Sequence, residues 1–384
     1  MPSQQGFRSI VHFDLDAFFV NVEYLRDSTL RGKAIAVGGH SDRGVITSCS
    51  YEARRYGVHS AMPTRIAKRL CPHLIIVRGD MDRYSYFSNL VTEIIRAEVP
   101  CFEKSSIDEF YVDMTGMEKF FGIIRFIEHL REKIIKESGL SISHALATNK
   151  LISKVATNEC KPNGHLVIKP GNEKSFLAPL RIEKLPMIGK QTAELLRSIG
   201  IETISALSEA PIEMLIGVLG KNGFEIWKRA QGIDESPIIP YHEQKSMGTE
   251  NTFEHDTCNM EFLGRELVRM TEKIAFELRC NNKLTGCITI KIRYSDFQTL
   301  TMQSAISYTS QDFFLLQKAK EIFNKLYNKR LRVRLLGVRF SNFIEGSYQI
   351  KIFEDRKEMP GLSRAIDSVK KQYGEKYLVR AASL

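Results

Sequence analysis

Two strings of carboxylates, far apart in the chain, limit what this sequence can fold into. Ile10-Val11-His12-Phe13-Asp14-Leu15-Asp16 ends one apolar run in acid, and Ser105-Ser106-Ile107-Asp108-Glu109-Phe110-Tyr111-Val112-Asp113 opens another with it. Both runs are rich in β-branched and aromatic residues and read as strands. Such strands are normally buried, and an ionised carboxylate is costly to bury unless a cation or a donor pairs with it. The two strand ends are therefore expected to converge on a metal. Hard oxygen donors select Mg2+ or Mn2+, and two such ions can hold a phosphoryl group in transfer.

The order of the other elements shows how the strings could meet. A strand at 9–15 precedes a helix at 17–26, and strands at 34–37 and 45–48 flank a Gly-Gly turn. Helical patterns cover 50–56 and 61–70, and a short strand at 74–77 leads to a long amphipathic helix at 80–98, stopped at Pro100. A hairpin follows, 102–105 with 107–113, then a helix at 117–138, a strand at 141–147, a helix at 149–160 and a strand at 165–168. Without the insertion at 20–77 the order is β-α-β-β-α-β plus a further helix and strand, a ferredoxin-like core. Its carboxylates would lie at the end of the first strand and on the central hairpin, close in space.

Pro170-Gly171 marks a boundary, after which 172–232 is helical in short pieces punctuated by glycines. Residues 233–246 lack periodicity and carry Pro237 and Pro240, which reads as a linker. A small α+β region spans 247–345. In it, Ile288-Thr289-Ile290-Lys291-Ile292-Arg293-Tyr294 and Leu331-Arg332-Val333-Arg334-Leu335 alternate with period two. That alternation predicts a core face of apolar residues and an opposite face with Lys291, Arg293, Arg332 and Arg334, a surface suited to tracking phosphates.

Charge agrees with that placement. The 384 residues carry 55 Lys and Arg against 45 Asp and Glu, a formal net charge of +10. Residues 279–345 alone hold twelve basic residues against four acidic ones, a net of +8. A localised basic surface is the footprint of a polyanion. Seven cysteines without a Cys-x-x-Cys pair argue against a disulfide framework or a zinc site and suit a reducing cytosol. Asp14 and Asp16 interrupt the only N-terminal apolar stretch, and no run approaches a membrane span. The expectation is a soluble, cytoplasmic protein with no membrane partner.

Taken singly, the motifs leave alternatives open. An apolar strand followed by Asp-x-Asp also opens phosphohydrolases of the haloacid-dehalogenase type, with the first Asp as nucleophile. There a Gly-Thr commonly follows, whereas this chain has Ala17-Phe18-Phe19. Thr47–Gly57 follows a strand and starts a helix on which Tyr51 and Arg54, three apart, share a face suited to phosphate oxygens. Lys161-Pro162-Asn163-Gly164 is a turn carrying a lysine.

Together they are specific. FDLDAFF, SYEARRYG, SSIDEFYVD, ATNKLISKVATNECKPNG and LPMIGKQTAELL occur in one order at compatible spacings. They resemble the Y-family DNA polymerases, most closely the DinB branch, over about residues 8–345. The resemblance implies a multidomain α+β right-hand polymerase. Its parts would be a ferredoxin-like palm (1–19 and 78–170), small fingers (20–77), a helix-hairpin-helix thumb (171–232), a linker (233–246), an α+β little finger (247–345) and a tail (346–384). It implies a translesion enzyme that is template-directed, of low fidelity and without proofreading, acting in DNA damage tolerance and repair as a monomer.

The resemblance also assigns residues. Asp14, Asp108 and Glu109, with the Leu15 carbonyl, would hold two Mg2+ ions, for which Mn2+ could substitute, and Asp16 would support them. Tyr51, Arg54 and Lys161, with the backbone amides of Ala17 and Phe18, would grip the incoming dNTP. Phe19 matches the steric gate that leaves no room for a 2′-hydroxyl. Ile182–Leu196 resembles a helix-hairpin-helix in which Ile188, Gly189 and Lys190 meet a phosphate of the primer–template DNA; the usual Pro-Gly-Ile-Gly turn is here Pro186-Met187-Ile188-Gly189. Lys291, Arg293, Arg332 and Arg334 would lie along the duplex. Gln349-Ile350-Lys351-Ile352-Phe353 resembles the peptide that binds the sliding clamp, with Gln349, Ile352 and Phe353 as its anchors. Beyond it, the spacing of Leu362, Ile366, Val369 and Tyr373 predicts a helix to which no function is assigned.

Overall fold

The computed structural model describes residues 7–117, 122–327, 331–346, 359–374 and 377–381. The chain forms two compact units, Met1–His242 and Glu243–Leu384.

The first unit opens with β1 (Ile10–Leu15), buried along its whole length, and α1 (Phe18–Arg26). Next come β2 (Ile35–Gly38), β3 (Ile46–Cys49), α2 (Tyr51–Arg54), α3 (Thr64–Leu70) and β4 (Ile75–Val77). α4 (Met81–Glu98), β5 (Phe102–Lys104), β6 (Glu109–Asp113), α5 (Ile123–Ser138), β7 (Ile142–Ala147), α6 (Lys150–Cys160) and β8 (His165–Val167) follow. Five strands form one sheet in the order β5-β6-β1-β7-β8, and β1 runs antiparallel to both β6 and β7. This is the arrangement expected of the β-α-β-β-α-β core, with β8 added parallel to β7. It excludes the phosphohydrolase alternative, whose nucleophile strand would sit between parallel neighbours. α1, α4 and α5 cover one face of the sheet through Phe18, Val22, Tyr84, Val91, Ile95, Ile127, Leu130 and Ile134. The insertion makes its own three-stranded sheet, β3-β2-β4, over a separate small core.

Several helices in this unit differ from their sequence patterns, and α5, expected from 117, begins at Ile123. The pattern at 61–70 yields helix only from Thr64, because Met62 precedes Pro63 and the residue before proline is disfavoured in α conformation. In the expected helix-hairpin-helix, the first helix is a single 3-10 turn, Ile182–Lys184. Leu185 precedes Pro186, so the turn cannot lengthen.

The helical region comprises α7 (Glu173–Leu177), α8 (Lys190–Ser198), α9 (Ile204–Glu209), α10 (Ile212–Leu219) and α11 (Lys221–Ala230). They share a core with α6 and β7. The segment read as a linker is tied down in its first part. Asn149 Nδ2 donates to the Gly232 carbonyl (2.9 Å), and Asp234 accepts from the Leu151 amide (3.0 Å). Buried Glu103 accepts from Lys150 Nζ at 2.8 Å and from the Ile239 amide at 2.7 Å.

The second unit contains β9 (Ser246–Thr257), α12 (Met260–Cys280), β10 (Lys283–Tyr294), β11 (Thr299–Thr309), α13 (Asp312–Leu326), β12 (Val333–Glu345) and α14 (Met359–Tyr373). Its antiparallel sheet has the order β11-β10-β12-β9 and packs one face on α12 and α13. α14 docks by charge. Asp367, 9% exposed, accepts from Arg279 Nε and Nη2 at 2.7 and 2.9 Å, while Arg279 Nη1 donates to Asp312 at 2.7 Å. Arg380 pairs with Glu272 and lies 3.3 Å from Asp312. Leu362 and Tyr373, on the apolar stripe that predicted this helix, are 62% and 59% exposed.

Candidate active site

Register brings the two acidic strings together. Asp14 on β1 lies opposite Glu109 on β6, and the Leu15 amide donates to the Asp108 carbonyl at 3.1 Å. Asp14 is 3% exposed and Glu109 is half-buried. A lysine sits on each: Lys161 Nζ is 2.5 Å from Asp14 Oδ1, and Lys154 Nζ is 2.6 Å from Glu109 Oε2. Asp108 occupies the turn before β6, and its carboxylate accepts from Ser106 Oγ at 2.6 Å. Leu15 has its side chain in the core.

Asp16 has a different environment. It is 1% exposed and accepts from Ser143 Oγ (2.8 Å) and the Asn163 amide (2.9 Å). These bonds satisfy the carboxylate and fix the turn at Asn163 against the end of β1. Asp16 thus braces the turn at Asn163 rather than facing Glu109.

The electrostatics separate the two facing carboxylates. Burial pushes Asp14 up to about 7, aided by Glu109 and Asp108 and opposed by Lys161. Burial also acts to raise Glu109, but His12 and Lys154 outweigh it and hold Glu109 well below the usual carboxylate range. His12 was missed in the sequence. It is fully buried, its ring lies 4.6 Å from that of Tyr111, and neither ring nitrogen has a hydrogen-bond partner. Burial holds it below its ordinary value, although Glu109, with Oε2 3.9 Å from His12 Nε2, acts to raise it. Lys154 was missed too, although the i, i+4 spacing of Lys150 and Lys154 on α6 marks one helix face turned to this sheet.

The donor set fits a divalent cation. One ligand atom each from His12, Asp14 and Glu109 lies within 4.8 Å of the others, and two of these three are hard carboxylates. Cationic side chains at both acids show a site built to have its negative charge neutralised.

The other expected residues of this unit lie at the start of α1 and on α2. Ala17 adopts a left-handed conformation (φ 38°, ψ 50°) that turns β1 sharply into α1, whose N-terminus has no side-chain cap. The Phe18 and Phe19 amides therefore open the helix beside the carboxylates. Phe18 itself is core, 3% exposed. Phe19 is half-buried and stacks on Tyr84 with ring centroids 4.2 Å apart. The Arg54 guanidinium lies over the Tyr51 ring at 4.7 Å, so the two share a face. Burial, and secondarily Asp16, raise the Tyr51 phenol, which stays a donor, 3.5 Å from Asp16 Oδ1.

Two further groups were expected to meet DNA phosphates. In the hairpin of the helical region, Ile188 is buried, Gly189 caps α8 and Lys190 points outward, its side chain 90% exposed. Met187 takes φ 80°, the left-handed conformation for which glycine is suited, and is 49% exposed. On the sheet of the second unit, Lys291 and Arg293 face away from Ile288, Ile290 and Ile292, which are buried. Arg332 lies before β12, exposed, and Arg334 covers the Phe297 ring at 4.7 Å.

The expected placement of Leu335 fails. Leu335 pairs with Arg293 and lies on the outer face, because a register shift at Arg293/Tyr294 and Val333/Leu335 bulges the strand and reverses the alternation. The same reversal puts exposed Arg339, opposite Thr289, on the outer face, a basic residue that the sequence pattern missed. Gln349, Ile352 and Phe353 lie outside the described residues. Among the described residues no helix is long and apolar enough to cross a membrane.

Comparison with known proteins gives one answer. The impB/mucB/samB family profile matches residues 13–158, and its C-terminal domain profile matches 244–352. DNA polymerase IV of Dehalococcoides mccartyi is 38% identical over 371 residues, 96% of this chain and 95% of that protein. DNA polymerase IV of Treponema denticola is 36% identical, covering 86% of this chain and 84% of its own. Among solved structures, a Y-family DNA polymerase chimera superposes with a TM-score of 0.78 at 26% identity, covering 88% of this chain and 100% of that one. An insertion ternary complex of Dbh DNA polymerase gives 0.64 at 25% identity with the same coverage. Two profiles, relatives that span nearly the whole chain and a matching fold agree: this chain belongs to the impB/mucB/samB family, in the DNA polymerase IV (DinB) branch of the Y-family DNA polymerases.

Proposed function

We propose that the chain adds deoxynucleotides to a primer 3′-end on a template, as a translesion polymerase working in DNA damage tolerance with low fidelity and without proofreading. The observation that carries this reading is the register pairing of Asp14 with Glu109 beside Asp108. Asp14, Asp108, Glu109 and the Leu15 carbonyl are the residues that would hold two Mg2+ ions, with Mn2+ as a possible substitute. The chemistry that such bound ions supply is activation of the primer hydroxyl and neutralisation of the triphosphate and leaving pyrophosphate.

The remaining residues position the reactants. Lys161, already at Asp14, adds positive charge where triphosphate oxygens would lie, and Tyr51 donates from its protonated phenol. Arg54 offers a guanidinium fork, and the uncapped start of α1 offers backbone amides. Phe19 floors the sugar site as the steric gate. Ile188, Gly189 and Lys190, and separately Lys291, Arg293, Arg332 and Arg334, serve as phosphate contacts to primer–template DNA. In polymerase terms, 1–19 with 78–170 act as palm, 20–77 as fingers, 171–232 as thumb and 247–345 as little finger. The chain works as a cytoplasmic monomer, recruited by the sliding clamp through Gln349, Ile352 and Phe353.

Primer extension with Mg2+ and each nucleotide tests the reading. Wild type extends, Asp108→Ala does not, and Phe19→Ala gains ribonucleotide incorporation; a wild type that cannot extend refutes the assignment. Deleting 349–353 removes clamp-stimulated synthesis and spares basal synthesis, whereas equal loss of both refutes the clamp peptide.

A further inference from the structure

A buried carboxylate beside the sugar gate takes no part in the chemistry above. Glu23 is 1% exposed, and its Oε1 accepts a 2.6 Å hydrogen bond from the Tyr84 hydroxyl on α4. Arg26 lies 3.8 Å from its other oxygen, at the solvent side. A carboxylate held in such a place is costly unless its charge has a use.

Tyr84 is fully buried, and its ring lies almost flat against Phe19, at 4.2 Å with 12° between the planes. Gly79 packs on the same ring: a Cβ there would lie 3.4 Å from Tyr84 Cε2 and 3.2 Å from Val37. Stacked rings slide and tilt at small cost, because the attraction between faces is shallow. A charge-assisted hydrogen bond at the far end of one ring removes that freedom. The contacts therefore run in series. Glu23 fixes the Tyr84 hydroxyl, the hydroxyl fixes the ring, and the ring stops Phe19 from retreating.

We propose that Glu23 is a positioning residue for sugar selection, acting through Tyr84 on Phe19. The inference rests on reading Phe19 as the gate. A gate excludes a 2′-hydroxyl only while it cannot move, and a displacement near 1 Å is enough to change a rate by about a hundredfold. Glu23 thus supplies rigidity rather than contact.

The test compares kcat/KM for a deoxynucleotide and its ribonucleotide in wild type, Tyr84→Phe, Glu23→Gln, Glu23→Ala and Phe19→Ala. Tyr84→Phe keeps the ring and removes only the tether. Its preference for deoxyribose should fall about tenfold, through a gain in ribonucleotide kcat/KM, with discrimination between right and wrong bases unchanged. Glu23→Gln keeps an acceptor oxygen and should retain more preference than Glu23→Ala. Adding Tyr84→Phe to Phe19→Ala should change nothing further, because the gate it supports is gone.

An equal loss of rate for both sugars, or a preference held within about twofold in Tyr84→Phe and Glu23→Ala while Phe19→Ala relaxes it, overturns the inference alone. An unchanged preference in Phe19→Ala overturns the gate reading instead.

Discussion

Burial and the carboxylates of Glu109 and Asp108 push Asp14 up to about 7, against the pull of Lys161. The sign of the consequence follows from linkage. Between the ordinary value near 3.8 and about 7, the folded chain keeps a proton that the unfolded chain has lost, so stability falls as pH rises through that window. In metal-free protein, Asp14→Asn should therefore raise the melting temperature, little at pH 5 and more at pH 8, while abolishing primer extension. Asn keeps an oxygen that can accept from Lys161. Thermal unfolding in chelator across pH 5–8 checks this, and a difference between the two proteins that does not grow with pH refutes it. Mg2+ should narrow the gap at pH 8 by stabilising the wild type. Such a gain from losing a catalytic residue is the usual trade between stability and activity. Met187 shows a residue-scale cost of another kind. Its side chain at φ 80° occupies a conformation that costs an ordinary residue about 1–2 kcal/mol.

At the scale of elements, the central strands and two helices of the first unit were legible because burial writes a period into them, whereas β9, β11, α12 and α13 were not singled out. β1, β6, β7, α4 and α6 stand within two residues of where the sequence predicts them. The failures have local causes that a period cannot report. Proline shortened α3 and reduced the first helix of the hairpin to one turn, and a bulge turned Leu335 outward. The long-range partners were illegible for a different reason. Nothing adjacent in sequence says that His12 will lie 3.9 Å from Glu109, or that Asp367 will meet Arg279. α14 was predicted from its apolar stripe but docks through that acid. Asp367→Asn should lower the unfolding free energy of the second unit by about 2 kcal/mol, less than the loss of a whole buried pair because Arg279 keeps Asp312. Lys371→Ala, on the exposed side of α14, should change it by less than about 0.5 kcal/mol. Urea unfolding of the two variants distinguishes a docked helix from an appended one, for which both values would be small.

Over the whole molecule, the excess of charge is concentrated in one stretch of the second unit. Eight of the ten net charges fall within residues 279–345, and the outer face of the β11-β10-β12-β9 sheet carries Lys291, Arg293 and Arg339 among threonines and glycines. Composition revealed that bias, but the sheet shows that its members are unequal. Lys291 Nζ is 2.8 Å from Glu250 across the face, so part of its charge is already neutralised. Exposed Arg339, opposite Thr289, has Gly248 rather than an acid opposite it on β9. Each phosphate neutralised by a cation adds about one to the dependence of log affinity on log salt, whatever the base sequence. Binding of the full chain to primer–template DNA should therefore weaken steeply with salt and depend little on sequence. Arg339→Ala should reduce the slope by about one, and Lys291→Ala by clearly less, because Glu250 is released when its partner goes. Fluorescence anisotropy from about 50 to 200 mM salt reads both slopes. Equal slopes would show that Glu250 turns away from Lys291 on binding, and no change for Arg339 would remove the sheet face from the proposed DNA path.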